Sequence, residues 1–197
     1  MTNRNGYILT LNPESERAIF SKNILEKIGF DVIFIKPILN NDNVLSNKIS
    51  MQYIYGLIIE SQNDYSYVFE DDINTHEEIQ LDEIIEYEKY SEMFFYLGVC
   101  ESDREKGKMS SIKIRNNDVY TKSGCCRGLH AIGLSKKGAN ELLKFSRDFE
   151  ERYMDVILEN FSKIYPANVC RYDLESYIPG HRGILFQDRK RFPSTIP

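Results

Sequence analysis

Through the first half of the chain, the hydrophobic and polar positions switch between a strand-like and a helix-like pattern. Apolar runs predict three strands, at residues 6–11, 31–35 and 65–73. Apolar residues at helical spacing predict two helices between them, at residues 14–27 and 43–60. Gly29 is placed to end the first helix. This βαβαβ order favours an α/β fold with a largely parallel sheet, in which ligands gather beyond the carboxyl ends of the strands.

The second half of the chain departs from this simple alternation. Alternating residues on both sides of Asn116-Asn117-Asp118 predict a hairpin over residues 111–122. Strands are predicted at residues 93–99 and 128–134, and helices at residues 77–88, 135–145 and 150–161. The tail from Arg171 onward is loop-like. We therefore predict a Rossmann-type mixed sheet flanked by helices, in one domain that spans residues 1–197.

The third predicted strand ends in three consecutive carboxylates, Glu70-Asp71-Asp72. Like charges packed at a strand end raise one another's pKa unless a divalent metal or a ring of donors compensates them. Strand alternation places Glu70 and Asp72 on one side, while Asp71 points away and is free to bond a ribose or an amide donor. Mg²⁺ or Mn²⁺ would suit such oxygen ligands. The alternative is an ordinary polar loop after a strand.

Composition narrows the range of partners. The chain has 197 residues, 42% of them hydrophobic, which is enough for one substantial core. Its formal net charge is -5 and it has no long basic run, so nucleic acid is a poor candidate partner. No stretch approaches the roughly 18 to 20 apolar residues of a membrane span. Its four cysteines lack CxxC spacing, so we expect reduced thiols and a cytoplasmic protein.

Three stretches carry a resemblance to a known family. They are Tyr7-Ile8-Leu9-Thr10-Leu11-Asn12 with Glu16-Arg17, then Val68-Phe69-Glu70-Asp71-Asp72-Ile73, then residues 128–139 with Leu142-Leu143. In this order they resemble glycosyltransferase family 25, the lipopolysaccharide-biosynthesis and collagen galactosyltransferase group, with relatives in large DNA viruses. The chain departs from the family's pattern at Ile132, where the family often has Tyr, and its later acidic motif is matched only by Asp155.

This resemblance implies a GT-A-like fold, a nucleotide-diphosphate sugar (of the UDP type) as donor, and Mn²⁺ or Mg²⁺. It implies metal ligands at Glu70, Asp72 and His181, and a catalytic base at Asp155. Contacts to the nucleotide or diphosphate are expected from Leu11, Asn12, Arg17, Glu70, Asp71 and Arg182. His130 and Gly128 would line the sugar pocket. If the protein is viral, its compartment would be the host cytoplasm.

Each of these assignments has a structural alternative. Asp155 would equally suit a helix surface or an N-terminal cap, and Arg17 would equally pair with Glu14 or Glu16 on its own helix. His181 could be a hydrogen-bonded loop histidine, and His130 a satisfied core histidine. The basic tail that contains Arg182, with Arg189, Lys190 and Arg191, could close over a diphosphate or stay solvated.

The leading prediction is a metal-dependent glycosyltransferase that moves a hexose to a hydroxyl of a glycan or glycoprotein acceptor. An inverting displacement is preferred because the family is inverting and Asp155 could serve as base, and a retaining mechanism stays open. The alternatives are a metal-dependent nucleotidyltransferase or phosphohydrolase, and a non-catalytic module that binds nucleotides or glycans.

Overall fold

A computed structural model describes residues 3–101, 109–114, 117–122 and 126–193. The helices are α1 (Glu16–Ile28), α2 (Asn43–Glu60), α3 (Leu81–Glu88), α4 (Lys136–Asp148) and α5 (Met154–Ile164). The strands are β1 (Asn5–Leu9), β2 (Asp31–Ile35), β3 (Tyr65–Glu70), β4 (Ile73–Thr75), β5 (Phe94–Glu101), β6 (Met109–Ile114), β7 (Asn117–Lys122), β8 (Cys126–Ser135), β9 (Ala167–Val169), β10 (His181–Gly183) and β11 (Leu185–Gln187). The predicted elements of the first half are confirmed.

Capping residues explain where the first two helices begin and end. Ser15 precedes α1 and its side chain accepts from the Ala18 amide, while Gly29 follows α1 with a φ of 117°. Such a left-handed residue suits glycine and lets its amide bond carbonyls of the last helical turn. Asp42 caps α2 by accepting from the amides of Val44 and Leu45.

The main sheet is mixed, with the order β2-β1-β3-β8-β5-β9-β7-β6, and β10 pairs with β5 beside β9. The pairs β1 with β2, β1 with β3 and β5 with β9 are parallel. Strand β8 lies between β3 and β5 and is antiparallel to both. The expectation of a largely parallel sheet is therefore wrong, whereas the mixed α/β sheet flanked by helices is confirmed. Strands β6 and β7 form the predicted antiparallel hairpin pair, and Asn116 of the predicted turn lies outside the described residues.

Two further expectations need correction. The tail after Arg171 is not simply loop, because it contains β10 on the main sheet and β11, which pairs with β4 in a separate two-stranded ribbon. The acidic stretch at residues 77–88 is helical only from Leu81, and β4 precedes it. Three-residue strands are too short to show a period, so only their partners reveal them.

Apolar side chains pack on both faces of the main sheet. One face is covered by α2, α4 and α5, with Met51, Leu142 and Phe161 among the buried residues. The other is covered by α1 and α3, with Leu25 and Ile84 in the core. Within the described part of the chain, no helix is long and apolar enough to cross a membrane. The division into domains stays a prediction.

Candidate functional site

The acidic triplet lies at the carboxyl edge of the sheet, where the parallel strands β1 and β3 end side by side. Leu9 is in register with Glu70, so the segments that follow both strands meet. Thr10 is buried and donates its hydroxyl to Asp71 Oδ2 at 2.6 Å. The Ser21 hydroxyl accepts from the Ile73 amide at 2.8 Å, which ties α1 to the turn after the triplet.

Arg17, in the first turn of α1, faces two of the three carboxylates. Its Nη2 atom lies 2.7 Å from Asp71 Oδ1 and 3.2 Å from Asp72 Oδ2. The expectation that Asp71 points away from the other carboxylates is therefore wrong, because β3 ends at Glu70 and strand alternation stops there. Arg17 therefore pairs with the triplet and not with Glu14 or Glu16, and its contact with a nucleotide stays a prediction.

The third carboxylate, Glu70, contacts the last residue of β11. Gln187 is buried and donates its side-chain amide to Glu70 Oε2 at 2.6 Å. Arg189 in turn donates Nη2 to Gln187 Oε1 at 3.0 Å. The Asp188 amide donates to the Asp72 carbonyl at 2.8 Å, which fixes this segment across the triplet.

The carboxylates are short of compensating charge and donors. Burial, then the neighbouring Asp72 charge, raises the pKa of Glu70 to about 7. Burial also raises the pKa of Asp72, which is 2% exposed, although the charge of Arg17 and a hydrogen bond from the Gln187 side chain oppose that shift. Asp72 Oδ1 and Arg17 Nε are both buried and find no hydrogen-bond partner among the described residues. A buried polar atom without a partner costs about 1 to 3 kcal/mol, so this site favours a further ligand.

A second group of side chains lies beside the triplet and contains both predicted histidines. His181 in β10 is in register with Cys100 in β5, and the Cys100 sulfur lies 3.5 Å from His181 Nδ1. The ring of His130 stacks on that of His181 with a centroid distance of 6.1 Å. Burial, followed by the charge of Glu70, raises the pKa of the Cys100 thiol to about 12, so the thiol stays protonated and the carboxylates lie within electrostatic reach.

His130 is a buried histidine to which the described residues offer no hydrogen bond. It is 1% exposed, and neither ring nitrogen has a partner among the described residues. Burial and the neighbouring His181 lower its pKa to about 3, so the ring is neutral. A Cβ on Gly98 would lie 2.4 Å from Nε2, and one on Gly128 would lie 2.9 Å from Nδ1. The two glycines therefore make room for the ring, and the choice between a sugar-pocket residue and a satisfied core histidine stays a prediction.

Asp155 lies in the first turn of α5 and accepts from the Val156 amide at 2.9 Å. That contact fits the alternative of a carboxylate at the helix N-terminus, where the helix dipole stabilises negative charge. The same carboxylate raises the pKa of the Cys100 thiol by its charge, which puts it in electrostatic contact with the site. Its role as base stays a prediction.

Two predicted nucleotide contacts, Leu11 and Asn12, have no contact with the carboxylates among the described residues. Leu11 is 76% exposed, and the Asn12 side chain accepts from the Glu14 amide in a local turn. Arg182 pairs with Glu175 at 2.7 Å and stacks on Tyr172. Sequence reasoning missed Thr10, Cys100 and Gln187, since only strand pairing across the fold brings these residues to the triplet.

Within the described residues, there is no group of three or more His, Cys, Asp or Glu side chains arranged to hold a metal ion. The carboxylate pair Glu70 and Asp72 still has the chemistry for Mg²⁺ or Mn²⁺, because these ions bind through one or two carboxylates and complete their shell with water and substrate phosphates. The orphaned Asp72 Oδ1 is an oxygen that such an ion would satisfy.

Comparison with known proteins adds little information on function to what this geometry shows. No family model matches the chain, and no curated protein matches it. Among solved structures, it is similar to the protein A197 from STIV, with 15% identity, a TM-score of 0.47, and coverage of 85% of this chain and 81% of that one. It is also similar to UDP-glucose pyrophosphorylase, solved with UDP-glucose, with 13% identity, a TM-score of 0.43, and coverage of 84% and 71%. Both likenesses are too weak to carry an argument, and the resemblance to family 25 is not confirmed.

Proposed function

We propose that this protein is a metal-dependent glycosyltransferase that moves a hexose from a nucleotide-diphosphate sugar, of the UDP type, to a hydroxyl of a glycan or glycoprotein. The observation that carries the proposal is the under-compensated carboxylate cluster at the carboxyl edge. This is the edge where open α/β sheets bind ligands. Asp72 Oδ1 is buried without a donor among the described residues, which a completed structural ion pair would not leave.

Charge balance suits a diphosphate and a divalent cation together. Arg17 and Arg189 are the two cations whose charges act on both Glu70 and Asp72. Against the three carboxylates they leave one net negative charge when Glu70 is ionised. A divalent cation held by Glu70 and Asp72 would stabilise the charge that develops on the leaving diphosphate as a Lewis acid. Within the described residues His181 does not join Glu70 and Asp72 in a ready three-ligand group, so water and diphosphate oxygens would complete the shell, and His181, which lies beside Cys100, would become a ligand only after moving.

The remaining residues would orient the reactants and move the proton. Asp155 would accept the proton of the acceptor hydroxyl, and an inverting displacement follows if it does so from the face opposite the leaving group. His130 and Gly128 would form the wall of the sugar pocket. The Arg189 guanidinium, held by Gln187, would pair with a phosphate oxygen. Arg182, which also pairs with Glu175 and contacts Tyr172, would be a second cation for the diphosphate.

The experiment that tests the function is product analysis. The protein is incubated with a panel of nucleotide-diphosphate sugars, Mn²⁺ and candidate glycan acceptors, and products are separated by mass. We expect a nucleoside diphosphate and a glycoside, with both lost in EDTA. Asp155→Asn should lower kcat at least about a hundredfold and leave donor binding intact, because it removes only the proton acceptor.

Other products would decide for other functions. Pyrophosphate or free phosphate would indicate nucleotidyl transfer or phosphate hydrolysis, which also use carboxylates and Mg²⁺. Donor binding without any product, unchanged in Asp155→Asn, would indicate a non-catalytic module. A donor-dependent rise in Tm, measured with and without Mn²⁺, identifies the sugar nucleotide before acceptors are screened.

A further inference from the structure

Arg17 makes an incomplete ion pair with the carboxylates. A single nitrogen, Nη2, serves both Asp71 and Asp72, at 2.7 Å and 3.2 Å. Guanidinium groups bind carboxylates best when two nitrogens contact two oxygens of one partner. Here one buried donor, Arg17 Nε, and one buried acceptor, Asp72 Oδ1, are left without partners among the described residues of the same cluster. The ion pair neutralises charge, but it leaves a donor of Arg17 and an acceptor of Asp72 without hydrogen bonds to the described residues.

Arg17 can leave the carboxylates without disturbing the fold around them. Its side chain is 27% exposed, whereas that of Asp72 is 3% exposed. The start of α1 is held by the Ser15 cap, and its middle by the Ser21 bonds to Ile73. Thr10 continues to donate to Asp71 when the guanidinium moves. The carboxylates therefore keep other contacts when the guanidinium moves, while their counter-ion is a long and partly exposed side chain.

We propose that Arg17 is a built-in counter-cation that a divalent metal displaces from Asp71 and Asp72. The inference rests on the metal dependence proposed above and adds a regulatory step to it. In the absence of metal, Arg17 compensates the negative charge of the buried carboxylates. A divalent cation supplies more charge and satisfies Asp72 Oδ1, and the guanidinium then regains a full set of water partners. The affinity for the metal therefore depends on how strongly Arg17 competes with the metal for the carboxylates.

The test measures binding of Mn²⁺ alone, without nucleotide, by calorimetry on the full chain. Arg17→Gln should bind Mn²⁺ at least about fivefold more tightly than the wild type, because the competing cation is gone. In EDTA the same variant should have a lower Tm, since Asp71 and Asp72 lose their ion pair with Arg17. These two opposite changes are the signature of exchange. Arg17→Met, which keeps the apolar stem, is the second variant if the glutamine lowers the yield of folded protein.

Two controls separate exchange from a general effect of charge. Lys27→Gln removes one positive charge from the last turn of the same helix, where Lys27 pairs with the exposed Glu78, and should leave Mn²⁺ affinity unchanged. Arg189→Gln removes a cation whose charge acts on Glu70 and Asp72, although Arg189 itself forms no ion pair with any described residue. If Arg189→Gln tightens Mn²⁺ binding as much as Arg17→Gln does, screening alone explains the effect and the exchange is overturned.

The inference and the proposed function fail in different ways. If the wild type binds Mn²⁺ and Arg17→Gln binds it no more tightly, Arg17 does not compete, and only the exchange is overturned. If neither protein binds Mn²⁺ at millimolar concentration, both the proposed metal dependence and the proposed exchange are overturned. Tighter binding in Arg17→Gln, with both controls as expected, supports the exchange whatever the sugar donor is.

Discussion

Two arginine-carboxylate clusters lie at opposite ends of strands β1 and β3, and they differ in how completely they are satisfied. At the amino end, Arg4 binds Glu88 with two nitrogens, Nε and Nη2, each 2.8 Å from a different oxygen. Tyr67 adds a hydroxyl at 2.7 Å. At the carboxyl end, Arg17 serves two aspartates with one nitrogen, and a buried oxygen and a buried nitrogen remain without partners among the described residues.

The difference separates a structural ion pair from a site prepared for a ligand. In the amino-end cluster, one carboxylate receives three donors, so nothing is gained by adding a cation there. In the carboxyl-end cluster, three carboxylates share the same number of donors, from Thr10, Arg17 and Gln187, and the pKa of Glu70 rises to about 7. Perturbed carboxylates that lie at a ligand-binding edge are candidates for function, whereas completed pairs hold elements together. The two clusters should therefore respond to mutation in opposite ways.

The largest effect is expected from Asp72→Asn. Loss of one metal-binding carboxylate should lower Mn²⁺-dependent transfer at least about a hundredfold. The same change should not lower the Tm measured in EDTA, because burial raises the pKa of Asp72 and the neutral amide avoids burying a charge. Transfer assays and thermal melts on the same preparation check both halves. A variant that is fully active, or one that is inactive only because it is unfolded, would contradict the interpretation of this cluster as a site.

Some of this contrast was predictable from the sequence. The strand before Glu70-Asp71-Asp72 and the βαβ order together place the triplet at the carboxyl edge, and the predicted bounds of α2 coincide with the observed Asn43–Glu60. Both follow from local periodicity, which depends on residues a few positions apart. The fold of the first half is therefore predictable because its parallel strands follow one another along the chain.

The partners within the site were not predictable. From sequence spacing, the predicted ion-pair partners of Arg17 were Glu14 and Glu16, because spacing along a helix identifies only pairs of residues that are close in the chain. Its real partners are more than fifty positions away and depend on β1 lying beside β3. Gln187 reaches Glu70 through the pairing of two three-residue strands, β4 and β11, that carry no periodic signal. Pairing of this kind is a property of the whole fold.

A smaller effect, on stability, is expected from Glu88→Gln at the amino end. It leaves Arg4 and the Tyr67 hydroxyl without their carboxylate, and breaking a largely buried ion pair costs about 3 kcal/mol. Urea unfolding measures the loss, while Mn²⁺ and donor binding should stay as in the wild type. The double variant Arg4→Met with Glu88→Met should recover part of the stability, because it removes both charges together. Impaired donor binding in a folded Glu88→Gln protein would show that the two clusters are coupled.

The smallest effect is expected from Tyr67→Phe, and its dependence on pH identifies the cause. At neutral pH the variant should lose about 1 kcal/mol, the net value of one hydrogen bond, here to Glu88. Burial, then the charge of Glu88, raises the pKa of Tyr67 well above its ordinary value of 10. Because the folded-state pKa is raised, the contribution of Tyr67 is complete below about pH 10 and is lost as pH rises further.

The phenylalanine side chain of the variant cannot ionise, so the stability difference between wild type and Tyr67→Phe should shrink above about pH 10 and then change sign. Urea unfolding at neutral pH and at about pH 10.5 measures it. Other buried tyrosines, Tyr55 among them, titrate equally in both proteins and cancel in the difference. A difference that stays constant with pH would mean that packing, and not the hydroxyl bonded to Glu88, provides the stabilisation. The amino-end cluster would then be less complete than its distances indicate.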